Sequence, residues 1–140
     1  MTAEEKQLLL KDICARLSYH NLWMQYDNKD WLAIGYGHGR IELLTNPVSS
    51  ATGPCPLIEE IKPYLRPMSS MTEEEKEELY HYYCKEIADN LSTPNLTWEL
   101  RCCVSNSFGT DWLNAHYFDY RGLIPMGLAL EAPEGMYKTE

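Results

Sequence analysis

Residues 21 to 44 read Asn-Leu-Trp-Met-Gln-Tyr-Asp-Asn-Lys-Asp-Trp-Leu-Ala-Ile-Gly-Tyr-Gly-His-Gly-Arg-Ile-Glu-Leu-Leu, and their spacing decides the fold. Three short runs rich in aromatic and branched side chains, Asn21 to Tyr26, Trp31 to Tyr36 and Arg40 to Leu44, are split by Asp27-Asn28-Lys29-Asp30 and by Gly37-His38-Gly39. Both separators are turn chemistry: Asn and Gly tolerate positive φ, and Asp can bond its own backbone. The stretch predicts a three-stranded antiparallel meander.

Upstream, Thr2 and Glu5 form a capping box, in which each side chain satisfies the other residue's free backbone donor. Leu10, Ile13, Cys14 and Leu17 then recur at i, i+3, i+4 and i+7, which predicts a helix over about residues 3 to 16. Downstream, residues 46 to 56 are rich in Pro, Ser and Gly and read as a surface loop. Leu57 to Ile61 is expected to return to the sheet, while Pro63 and Pro67 forbid a long helix around Tyr64-Leu65-Arg66. A second capping box, Thr72 with Glu75, opens a central helix over about 73 to 90, whose apolar stripe should pack on the sheet. Leu96, Trp98, Leu100, Cys102 and Val104 alternate as a half-buried strand does. Thr110 or Asp111 is placed to cap a short C-terminal helix carrying Trp112, Leu113, His116 and Tyr117. Beyond Arg121 the chain is punctuated by Gly122, Pro125, Gly127, Pro133 and Gly135, so residues 131 to 140 are expected to fray. The expectation is one α+β domain over residues 1 to 140: an N-terminal helix, a small antiparallel sheet of three to five strands, a central helix on the sheet and a short C-terminal helix.

Composition narrows the function classes. A net charge of −9, from 12 basic and 21 acidic residues, argues against a phosphate backbone as partner, which needs clustered Lys and Arg. The longest charge block, Glu73-Glu74-Glu75-Lys76-Glu77-Glu78, is mostly acidic and suits a basic protein partner or plain solubility. The N-terminus lacks a secretory pattern, and no window approaches a bilayer span. Five cysteines form no framework-like array, so the chain is expected to be cytoplasmic with reduced thiols and no membrane partner.

Two segments carry a family resemblance: Pro63-Tyr64-Leu65-Arg66-Pro67-Met68-Ser69-Ser70-Met71-Thr72-Glu73-Glu74-Glu75, and Asp111-Trp112-Leu113-Asn114-Ala115-His116-Tyr117-Phe118-Asp119-Tyr120-Arg121-Gly122-Leu123-Ile124 through Gly127-Leu128-Ala129. With Lys6-Gln7-Leu8-Leu9-Leu10-Lys11-Asp12 they resemble a family of small uncharacterised proteins of gut anaerobic bacteria and their phages or mobile elements. The chain departs from that pattern at Tyr117 and Pro125, where many relatives carry a His and a Glu. The resemblance implies a cytoplasmic accessory protein and supplies no catalytic residue.

The candidate chemistries are few. His81 and Cys84 share a helix face, but adjacent Cys102-Cys103 point oppositely in a strand and no Cys-x-x-Cys pair exists; no metal or cofactor is expected. Gly37-His38-Gly39-Arg40 is far from a phosphate loop, and a hairpin turn explains it. The best acid–base set is His116, Asp119 and Arg121, in which the carboxylate could hold an imidazole tautomer; a structural hydrogen bond beneath Trp112, Tyr117, Phe118 and Tyr120 competes with that reading. An odd spacing puts Trp31 and Tyr36 on opposite faces of a regular strand, so Trp23, Trp31 and Tyr36 are expected to offer an aromatic contact surface. Two functions stand: a non-enzymatic accessory domain that binds a protein partner or itself, and a small hydrolase-like or nucleotide-handling enzyme built on His116, Asp119 and Arg121.

Overall fold

A computed structural model describes residues 1–44, 53–79 and 107–137. The class is α+β, and a helix precedes the sheet. That helix, α1, spans Ala3–Leu17, and its Thr2–Glu5 capping box forms as expected. Its buried face is Leu9, Asp12, Ile13 and Arg16, rotated from the expected stripe. Leu10 and Leu17 pack at the margin of the core, and Cys14 is exposed. Hydropathy alone misses this rotation, because two of the four inward residues are charged and become buriable only as a pair.

The meander forms as β1 (Trp23–Tyr26), β2 (Lys29–Gly37) and β3 (Arg40–Leu44), all antiparallel. Its turns are Asp27-Asn28, with φ of 52° and 58°, and His38-Gly39, with φ of 53° and 77°. Two successive positive φ values are what a two-residue hairpin needs to match the strand twist. β4 (Lys62–Leu65) pairs antiparallel with β1, and β5 (Leu130–Glu131) pairs parallel with β4. The order is β3-β2-β1-β4-β5, so the sheet is mixed rather than purely antiparallel. The return to the sheet also comes later than expected. Leu57 makes a single bridge to Arg40, and Ile58–Glu60 then turns as a 3₁₀ helix, with the Glu60 carboxylate accepting from Leu57 N–H at 2.9 Å. The outer edge of β3 is met by residues 53 to 56, through Ile41 N–H to Pro56 O and Leu43 N–H to Pro54 O.

A bulge changes which faces the aromatics occupy. Ala33 pairs with Leu43 but Gly35 pairs with Glu42, so Ile34 is an extra residue in β2. Tyr36 thereby lies opposite Ile41, on the face that also holds Ala33 and, across from Met24, Trp31. The opposite-face expectation for Trp31 and Tyr36 fails because a single inserted residue reverses the alternation.

Leu9 and Ile13 of α1 lie in one cluster with Met24, Ala33, Ile41, Leu43 and Leu65, so α1 packs on the sheet. Each such burial contributes roughly 1.5–3 kcal/mol. The central helix, α2, is described over residues 73–79. Its Leu79 belongs to a second cluster with Met71, Trp112, Leu113 and Phe118, so this part of α2 meets the last helix rather than the sheet. The remainder of the expected 73–90 helix, the expected strand at 96 to 104, and the His81, Cys84 and Cys102-Cys103 positions lie outside the described residues.

The last helix, α3, spans Ser107–Ala115, so Thr110 and Asp111 are interior rather than caps, and the helix stops before His116. Tyr117 takes φ of 61°, with Tyr117 N–H bonded to Asn114 O and Phe118 N–H to Leu113 O. That pair of bonds, with Phe118 packed beside Leu113, is a Schellman ending. Residues 131 to 137 do not fray as expected. Tyr137 is buried, stacks on Tyr117 at 4.2 Å, donates to Tyr64 O and accepts from Trp23 N–H. Among the described residues no helix is long and apolar enough to cross a membrane.

Candidate functional site

The three residues proposed for acid–base work are each engaged elsewhere. His116 sits just past α3, stacked on Trp112 at 3.9 Å, with Nδ1 2.8 Å from Trp112 O and Nε2 3.9 Å from Glu78 Oε1. Asp119 is buried and spends both oxygens on backbone, accepting from Leu123 N–H at 2.8 Å and Ile124 N–H at 2.9 Å. Arg121 donates to Asp12 Oδ1 at 2.6 Å and lies over the Tyr120 ring. Asp119 therefore holds a turn, not an imidazole, and Arg121 ties the C-terminal segment to α1.

The three aromatics proposed for contact do not form one exposed surface either. Trp23 and Trp31 are half-buried against the main cluster, and Trp31 Nε1 donates to Tyr26 O at 2.9 Å. Of the three only Tyr36 is exposed. Gly37-His38-Gly39-Arg40 is a hairpin turn, and Arg40 donates to Cys55 O.

Spatial proximity instead builds a groove. Arg66 and Pro67 follow β4, Met68–Ser70 turns as a 3₁₀ helix, and Thr72 caps α2, whose Glu74, Glu75 and Glu78 line the groove with them. Residues 131 to 135, Tyr137 and His116 line it as well; the volume is about 950 Å³. Arg66 grips Glu75 with two bonds of 2.7 Å and lies 4.1 Å over the Phe118 ring. Glu75 also accepts from Thr72 N–H in the second capping box. Burial pushes the Glu75 carboxyl up, but its bonds to Arg66 and Thr72 outweigh that and hold it below the usual carboxylate range. Arg66, the one Lys or Arg among the described lining residues, is thus neutralised internally. Glu74, Glu131 and Glu134 make no ion pair among the described residues, and Glu78 approaches only His116. The groove is an open surface lined by several carboxylates, which favours cations near it.

The sequence signal for this groove was half visible. The acidic run 73 to 78 stood out, but its partners Glu131 and Glu134 lay in a segment read as tail. Among the described residues no group of three His, Cys, Asp or Glu is placed to hold a metal ion. No family model matches the chain, and neither curated proteins nor solved structures give a significant match.

Proposed function

We propose that the chain is a non-enzymatic interaction domain whose acidic groove receives a basic segment of a protein partner. The observation that carries this reading is that Glu74, Glu78, Glu131 and Glu134 line one open groove, in which the one guanidinium among the described lining residues, Arg66, is already bound by Glu75. Convergent uncompensated carboxylates raise the local concentration of cationic ligands and speed their capture. The enzyme reading needs His116, Asp119 and Arg121 around one reacting position, and each is bound to a different structural partner. An accessory role in a phage or mobile element, masking a basic partner, fits the same surface.

Binding of an arginine-rich peptide, followed by fluorescence anisotropy, tests the reading. The peptide should bind at low salt and weaken by roughly tenfold or more as salt rises from about 0.05 to about 0.5 M, because exposed charges are screened. The combined E74Q, E78Q, E131Q and E134Q substitution should abolish binding while the circular dichroism spectrum stays unchanged. Equal binding by that variant would remove the groove from the function.

A further inference from the structure

The ladder between β1 and β4 stops where a side chain from the far end of the chain enters it. Its register is Met24 with Pro63 and Gln25 with Lys62, so the next opposed residues are Trp23 and Tyr64. Leu22 O accepts from Ala33 N–H on the β2 side, and Leu65 O accepts from Ala132 N–H on the β5 side. Alternate residues of a strand turn their N–H and C=O to opposite sides, so Trp23 and Tyr64 turn theirs toward each other. The Tyr137 phenol occupies that rung. Its oxygen accepts from Trp23 N–H at 2.9 Å and donates to Tyr64 O at 2.9 Å, with Trp23 O 3.4 Å away. Burial pushes the phenol pKa far above its ordinary value, so the group stays protonated and remains a donor.

The segment that carries Tyr137 has few other attachments among the described residues. β5 is two residues long. Ala132 N–H donates to Leu65 O, Met136 N–H closes a turn onto Pro133 O, and Gly135 takes φ of 85°. Ala132 and Met136 pack at the margin of the main cluster, and Tyr137 stacks on Tyr117. Withdrawing a buried hydroxyl ordinarily leaves its donor and acceptor unpaired, which is costly. Here the two groups left behind are the N–H and C=O of one rung, and they can bond each other. Opening this segment therefore costs the stack and a few bonds, well short of global unfolding.

We propose that Tyr137 is a clasp and that residues 130 to 137 form a strap that opens as one unit, with β1 and β4 gaining the direct Trp23–Tyr64 rung as the phenol leaves. The strap carries Glu131 and Glu134, so its closed form is the one that presents the groove. That consequence rests on the groove reading above; the clasp itself does not.

Amide hydrogen exchange, resolved by residue, tests both. In the native chain the Ala132 and Met136 amides should share one opening and exchange at least about tenfold faster than Ala33, which the meander holds. Tyr137→Phe keeps a ring for the stack but has no oxygen. Its strap amides should exchange roughly tenfold faster again, Ala33 should be unchanged, and Trp23 should stay protected because Tyr64 O takes over from the phenol. Strap amides unmoved by Tyr137→Phe, or a Trp23 amide that loses its protection there, overturn the clasp. So do strap amides that exchange only together with Ala33 in the native chain, a result that needs no variant to fold. An arginine-rich peptide at about ten times its Kd should slow strap exchange roughly tenfold. Bound peptide that leaves the exchange unchanged overturns the link between closed strap and groove. Absence of peptide binding removes the groove reading, and exchange in the free protein then decides the clasp alone.

Discussion

Asp12 is fully buried and accepts from Arg16 Nε and Nη2 at 2.9 Å each and from Arg121 Nη1 at 2.6 Å. Arg16, also fully buried, donates in addition to Phe118 O, and Tyr120 lies beneath both guanidiniums. One carboxylate therefore organises two arginines that are more than a hundred positions apart in the chain. Its removal should be costly, because unpaired buried charge is penalised far more than a good pair stabilises. Asp12→Asn should lower unfolding free energy by about 3–5 kcal/mol in urea titration. A loss under about 1 kcal/mol would show that the two arginines find water or another acceptor instead. Nothing in Lys11-Asp12-Ile13-Cys14-Ala15-Arg16 announces this at the residue scale. An i, i+4 Asp–Arg pair reads equally well as a solvated surface bridge, and only the presence of Arg121 and the Phe118 carbonyl on the other side turns it inward.

At the scale of elements, local chemistry was legible wherever the local backbone does the deciding. The α1 capping box and the two hairpin turns are read correctly because their hydrogen bonds and positive φ values are met by the residues themselves. Gly39 has φ of 77° and open space where a Cβ would stand, so Gly39→Ala adds strain without a clash. It should destabilise by about 1 kcal/mol, visible as a Tm lowered by a few degrees. An unchanged Tm would mean that the turn relaxes to another type at no cost. The ends of other elements were not legible. α3 stops at a Tyr in the left-handed region because Tyr117 gains a stacked Tyr137 and a contact to Tyr19 O. The β2 bulge has no residue signature, since Ile34 is an ordinary strand residue. Gly35 follows the bulge opposite Glu42, where a Cβ would stand 3.1 Å from the Glu42 carboxylate.

Across the whole molecule, the main cluster is closed by a segment from the far end of the chain. β5 pairs with β4, Tyr137 donates to Tyr64 O, and Glu131 and Glu134 thereby line the same groove as Glu74 and Glu78. The Arg66–Glu75 pair sits in the same region, and its pH dependence has a definite sign. Because the folded carboxyl of Glu75 is held below its unfolded value, the pair stabilises the fold above the unfolded carboxyl range. That contribution is lost as pH falls through the folded value. Glu75→Gln should therefore cost about 1 kcal/mol near neutral pH, a figure reduced for the solvent in the groove. The gap between native and variant urea midpoints should shrink as pH falls from about 5 to about 3. A gap that stays constant across that range would assign Glu75 a purely steric role.

By itself the sequence determined the elements whose causes lie within a few residues: the first helix, the three-stranded meander and the capped start of the second helix. The tertiary structure alone decided what depends on contacts between distant positions, namely the mixed sheet, the inward turn of Asp12 and Arg16, the dispersal of His116, Asp119 and Arg121 to separate partners, and the acidic groove. The physical reason is that backbone torsions and capping bonds answer to near neighbours. The cost of burying a charge, and the field of a cleft, are set by whichever groups the completed fold brings alongside.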